Sequence, residues 1–185
     1  MIKVLTNYKF YFSLFLLIPI FIKAEIHYSQ RGVLNMSTIH RLSDGSIIKI
    51  PYRVLTYEPV VSYNNLNLVG STALEFRFRG FNNFLNSEVN LDLRELYIDW
   101  ITKWGEFSLG KQIIIWGSVS GNNPTDNISP YNYYYLSSLG KERKEGIFSF
   151  NSTLYLKDVK LNTVFIPSHN SHVIPLNDPE FAINS

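Results

Sequence analysis

From residue 25 onward, apolar and polar side chains alternate with a period of two, and no stretch keeps a helical period. That alternation sends successive side chains to opposite faces of a strand. Residues 72–79 show it most clearly, with Leu74, Phe76 and Phe78 on one face and Ala73, Glu75, Arg77 and Arg79 on the other. Residues 89–102 set Leu96, Ile98 and Trp100 against Glu95, Tyr97 and Asp99. Residues 107–115 put Phe107, Leu109, Ile113 and Ile115 on one face, with Lys111 as the exception. In residues 148–156, Phe148, Phe150, Leu154 and Leu156 oppose Ser149, Asn151, Thr153 and Tyr155. Weaker strands are expected over residues 27–41, 52–62 and 158–166, for about seven in all. Turn chemistry falls at Ser43-Asp44-Gly45, Asn64-Asn65, Asn82-Asn83, Trp104-Gly105 and Lys157-Asp158.

The first 24 residues read differently. Lys3 and Lys9 precede or open a run from Phe10 to Ile22 that only Ser13 and Pro19 interrupt, and Ala24 offers a small residue for cleavage. The run is shorter than the roughly 20 residues of a membrane span and has the form of a signal peptide. The expected organisation is a leader over 1–24 and one domain over 25–185. Removing the three leader lysines from the 17 basic residues leaves 14 against 15 acidic ones. The sequence pI near 8.7 therefore reflects the leader, and a nucleic-acid partner has no support. No cysteine is present, which excludes disulfides, thiolate metal sites and a cysteine nucleophile. The 13 Phe, 12 Tyr and 3 Trp supply too much buriable surface for a disordered chain.

Two all-β architectures share this pattern. In a soluble sandwich the apolar face is the core; in an outer-membrane barrel it meets lipid and the polar face lines the lumen. Strands of ten or more residues, tight turns alternating with a long loop over residues 117–145, and aromatics at strand ends (Trp100, Trp104, Trp116, and Tyr131 with Tyr133 to Tyr135) favour an antiparallel transmembrane β-barrel.

Leu93-Arg94-Glu95-Leu96-Tyr97-Ile98-Asp99, then Gly110-Lys111-Gln112 with Trp116-Gly117, then Asn123-Pro124-Thr125-Asp126 with Pro130 and Tyr133, resemble a family of bacterial outer-membrane porin-like barrels. That family is related to alginate-export-type barrels. Residues 141–146, Phe165-Ile166-Pro167 and Pro175-Leu176-Asn177-Asp178-Pro179 continue the resemblance, which covers about residues 90–180. Ser120 and Asn132 stand where the family has Asp, so a ligand role for those two carboxylates does not carry over. Family members are several hundred residues long with many more strands. The resemblance thus implies an incomplete, N-terminal portion of a larger barrel, because bacterial barrels close with an even number of strands. A complete eight-stranded barrel is the alternative.

The expected function is permeation of small or anionic solutes, saccharides among them by resemblance, through a charged lumen in the outer membrane of a Gram-negative bacterium. Glu75, Arg77, Arg79, Arg94, Glu95, Asp99 and Lys111 are the candidate lumen charges. Arg94 and Lys111 have the wrong parity and require a bulge or a strand-end position. Loop 117–145, with Trp116, Gly117, Asn123, Pro124, Thr125, Asp126 and Pro130 from the family motif, either folds inward or forms a lid. Outer-membrane lipids, a small-molecule or saccharide solute and the barrel-assembly machinery are the expected partners. No catalytic, metal or cofactor residue is assigned, and no enzymatic activity is expected. Two rivals stand: a secreted β-sandwich that binds glycans, and a lipid hydrolase using Ser171 beside His169 and His172.

Overall fold

The structure, a computed structural model, describes residues 25–36, 38–78, 88–117, 125–135, 138, 140–176 and 178–181. The expected leader over 1–24 lies outside them, as do Arg79, Asn82, Asn83, Ser120, Asn123 and Pro124. Seven strands form one antiparallel sheet in chain order: β1 (Ile26–Leu34), β2 (Tyr52–Tyr63), β3 (Leu66–Arg77), β4 (Glu88–Ile101), β5 (Gly105–Gln112), β6 (Ile147–Leu156) and β7 (Val159–Phe165). The sheet is open, with β1 and β7 at its edges. Among the described residues no helix is long and apolar enough to cross a membrane.

Three tight turns lie at one end of the sheet. Asn64 adopts φ +51° between β2 and β3, and Lys157 does the same between β6 and β7. Between β4 and β5, the Thr102 hydroxyl oxygen accepts the Gly105 N–H at 3.0 Å. The three long connections, β1 to β2, β3 to β4 and β5 to β6, lie at the other end, where the chain also leaves β7. β3 starts at Leu66, earlier than the alternation indicated, because Gly70, Ser71 and Thr72 dilute the pattern while the Asn64 turn feeds straight into the strand. β1 stops at Leu34, well short of residue 41. β5 ends at Gln112 because Ile113 and Ile114 peel away, their N–H groups donating to the Glu95 carboxylate (2.9 Å) and the Ser129 hydroxyl (2.8 Å).

The register sorts side chains into rows that run across the sheet. Tyr28, Val61, Leu68, Ile98, Leu109, Phe150 and Phe165 are aligned across all seven strands, and each is at least 36% exposed. Leu34, Leu55, Leu74 and Leu91 form a parallel row nearer the long connections. Tyr63, Leu66, Trp100 and Phe107 form one by the tight turns, where the Trp100, Trp104 and Phe107 ring centroids lie 5.0–6.2 Å apart. The opposite face is polar: His27, Ser62, Asn67, Asp99, Ser108 and Asn151 share one row.

Arg94 is an extra residue in β4. Ser71 pairs with Glu95 and Thr72 with Leu93, so Arg94 has no partner on β3. This bulge lets Arg94 and Glu95 both point to the polar face, and it resets the parity so that Leu93, Leu91 and Val89 remain in the apolar rows. Burial follows this division and not hydrophobicity. Among the described residues, 13 buried polar or charged residues stand against five buried hydrophobic ones, the reverse of a soluble core.

Candidate functional site: the covered polar face

The polar face of β2 to β6 is covered by the connection that leaves β5 and returns at β6. Its part over residues 125–146, with the gaps noted above, lies against the sheet and is tied down by side chains. Arg53 of β2 occupies the middle. Its guanidinium lies 3.9 Å from the centroid of the Tyr135 ring, 3.4 Å from the Glu75 carboxylate and 3.2 Å from that of Glu142. The Tyr135 hydroxyl donates to Glu75 at 2.6 Å. Burial and that hydrogen bond push the Tyr135 hydroxyl well above the usual tyrosine pKa, so it remains a donor at any physiological pH. Glu142 is shared: Arg94 reaches its other oxygen at 3.0 Å and also donates to the Lys141 carbonyl at 2.6 Å. Lys141 in turn pairs with Glu95 at 3.1 Å. The bulge at Arg94 thus supplies two adjacent charges that both hold the short 3₁₀ turn Gly140–Arg143.

Two further anchors flank this centre. The Lys144 ammonium is 1% exposed in its side chain and donates to the Asp126 carboxylate (2.9 Å), the Asp126 carbonyl (3.0 Å) and the Ser129 carbonyl (3.1 Å). Three N–H groups thereby meet three acceptors, and the Tyr131 ring lies over the same cation at 4.2 Å. Asp126 also accepts the Trp116 N–H at 2.9 Å. On the other flank, Arg77 pairs with Asp178 at 2.5 Å and donates to the Lys49 carbonyl at 2.8 Å. Tyr134 donates to the same carboxylate at 3.0 Å. Burial acts to raise the Asp178 carboxyl, but hydrogen bonds from the Glu180 N–H, Arg77 and Tyr134 outweigh it and hold it below 3.8. The segment after β7 is thus strapped over the loop, with Arg41 pairing to Glu180 at 2.5 Å and the Tyr131 N–H donating to His172 Nδ1 at 2.9 Å.

Of the charges singled out in the sequence, Glu75, Arg77, Arg94 and Glu95 converge on this cover. Asp99 lies on the same face nearer the tight turns, accepting a hydrogen bond from Ser108 at 3.0 Å. Lys111 does not join them: it shares a row with Leu96 and Phe148 on the apolar face. Its ammonium donates at 2.5 Å to the Leu93 carbonyl beside the bulge, which satisfies both a cation and a backbone acceptor. Gly146 lies against the bulge: a Cβ there would run into the Arg94 carbonyl and press on the Lys111 stem at 3.1 Å. In the motif loop, Trp116, Asp126 and Pro130 make loop-closing backbone contacts, Pro130 accepting the Glu145 N–H at 2.8 Å. Gly117 takes φ +94°, and Thr125 is exposed. Among the described residues no hydrogen bond joins Ser171 to His169 or His172; His169 lies 3.3 Å from the Asn127 carbonyl instead.

Arg53, Glu142, Lys144 and Asp178 are not among the charges that the sequence picks out individually, and Tyr135 enters there only as a strand-end aromatic. Arg53 sits in a weakly alternating strand beside a second bulge at Val54, which hides its parity. The others lie outside the strands, where periodicity carries no information. No family model, characterised protein or solved structure matches the chain.

Proposed function

We propose that this chain is the N-terminal part of an outer-membrane β-barrel of porin type, whose polar face lines a solute path narrowed by the loop over residues 125–146. One observation carries the reading: an apolar row from Tyr28 to Phe165 crosses all seven strands on a face that no other described residue covers. Seven strands about 4.8 Å apart span roughly 29 Å. Leu66 to Phe76 covers about 34 Å along β3, or about 26 Å at a 40° tilt, close to the roughly 25 Å apolar band of such barrels. An exposed apolar area of that extent exceeds the 300–600 Å² typical of the largest patch on a soluble monomer. Tight turns gathered at one end and long connections at the other also suit a barrel inserted from the periplasm, as does the Trp100, Trp104 and Phe107 cluster.

Closure follows from strand direction. In an antiparallel meander, β1 and β7 run the same way, so joining them directly would make a parallel pair. An odd number of further strands restores antiparallel pairing at both edges and gives the even total that bacterial barrels use. Leaving either edge open in hydrocarbon would expose unpaired backbone groups.

Small solutes, anionic ones and saccharides included, would pass between the cover and the wall. Arg77 no longer presents a free positive field, because Asp178 neutralises it. The test is site-directed spin labelling of the protein in liposomes at Ile98 and Asp99, neighbours on opposite faces. A label at 98 is expected to report hydrocarbon and one at 99 water. Water at both positions, with the protein remaining in solution without lipid or detergent, would favour the secreted β-sandwich instead.

A further inference from the structure

A cavity of about 590 Å³ opens at the long-connection end, between the polar face of β1 and β2, the chain over residues 39–50 and the Tyr134–Tyr135 stretch. Its size is that of an ordinary small-molecule site. Its wall is divided by chemistry. Val33, Ile39, Ile47, Ile48 and Ile50 supply an aliphatic side, while Arg31, Lys49, Arg53, Glu58 and Glu142 supply charges. Two of those charges are already committed: Arg53 to Glu75 and Glu142, and Glu142 to Arg53 and Arg94. Among the described residues, Arg31 and Lys49 make no side-chain hydrogen bond or ion pair, and neither does Glu58, although it sits opposite Arg31 in the register. Two uncommitted cations against one uncommitted carboxylate leave the cavity short of one negative charge.

We infer that this cavity binds a small amphiphilic anion, a carboxylate carried on an apolar body of about six to nine carbons. The carboxylate takes charge-assisted hydrogen bonds from Arg31 and Lys49, and the apolar body lies on the isoleucines, removing them and itself from water. A purely polar ligand would leave the isoleucine wall wet, and a cation would meet two like charges. The site needs no closed barrel, so its test reads binding and not conductance.

The experiment is a ligand-observed NMR titration of the full chain with 3-phenylpropanoate, its neutral amide and 3-phenylpropylamine, with acetate as the headgroup alone. The acid is expected to bind with a dissociation constant on the order of a millimolar. The amide, the amine and acetate should each bind about tenfold more weakly or worse. Lys49→Ala and Arg31→Ala should each weaken the acid several-fold, and Ile48→Ser should do the same. Glu58→Gln should tighten it, and a gain of affinity cannot come from misfolding. Equal binding of acid and amide, equal binding of acetate, or an affinity unmoved by both cation variants and by Glu58→Gln would overturn the assignment.

Discussion

Lys144 shows at single-residue scale how a charge can be structural on this face. All three of its N–H groups have acceptors, its stem is buried, and an aromatic ring covers it. Lys144→Met keeps the stem but leaves the buried Asp126 carboxylate and two carbonyls without their donor. A loss of about 3–5 kcal/mol in unfolding free energy is expected, as for other broken buried pairs. Adding Asp126→Asn should recover part of it, because the orphaned charge is then gone; a double-mutant cycle in denaturant measures the coupling. Asp178 gives the corresponding pH dependence. Its folded pKa lies below the ordinary 3.8, so its contribution is complete above that value and is lost as pH falls through the lower folded value. The strap that Asp178 anchors should therefore stay protected from hydrogen exchange at neutral pH and lose protection as pH falls below the ordinary carboxylate range. Asp178→Asn should open it at pH 7.

At the scale of elements, the bulge at Arg94 is the feature on which the sheet's two-sidedness depends. With it, Val89, Leu91 and Leu93 stay in the apolar rows; without it, a single-residue slip would carry all three to the polar face. Deleting Arg94 should abolish folding into a heat-modifiable species on gels. Arg94→Ala, which keeps the extra residue and loses only the contacts to Glu142 and the Lys141 carbonyl, should retain it. Equal behaviour of the two variants would mean that parity is set elsewhere. The need for this bulge was legible in the sequence, because Arg94 breaks the alternation between two apolar stretches. Lys111 breaks it in the same way, yet no register shift appears on either side of it. Its long stem reaches a backbone acceptor from the apolar face, and alternation cannot distinguish that outcome from a bulge. The strands themselves were legible wherever both faces carried strong signals, and failed at residues 66–71 where small residues weakened one face. The cover was not legible, since its hold on the sheet depends on pairs about 50 to 90 residues apart, such as Arg94 with Glu142 and Arg53 with Glu142.

At the scale of the whole molecule, the question is which solvent the apolar face meets, and the exposure of that face makes the answer measurable. Leu96 is 47% and Trp100 44% exposed, so in a protein surrounded by water an arginine at either position should change stability by no more than about 0.5 kcal/mol beyond the ring contacts that Trp100 loses. In a bilayer the cost depends on depth. Leu96 lies near the middle of the apolar rows of β4, and Trp100 lies beside the tight turns. Leu96→Arg should then cost about 2–4 kcal/mol and Trp100→Arg about 0–1 kcal/mol beyond the lost ring contacts. Lys111, aligned with Leu96, sharpens the comparison: its ammonium is tied to the Leu93 carbonyl, and an arginine at Leu96 would place a second cation in the same row with no backbone acceptor left by a bulge. Reversible unfolding in lipid vesicles reads both variants against the unmodified chain. A gradient from the tight turns toward mid-strand identifies lipid as the solvent of this face. Two equal and negligible costs beyond those ring contacts would identify water, and the barrel reading would fall with them.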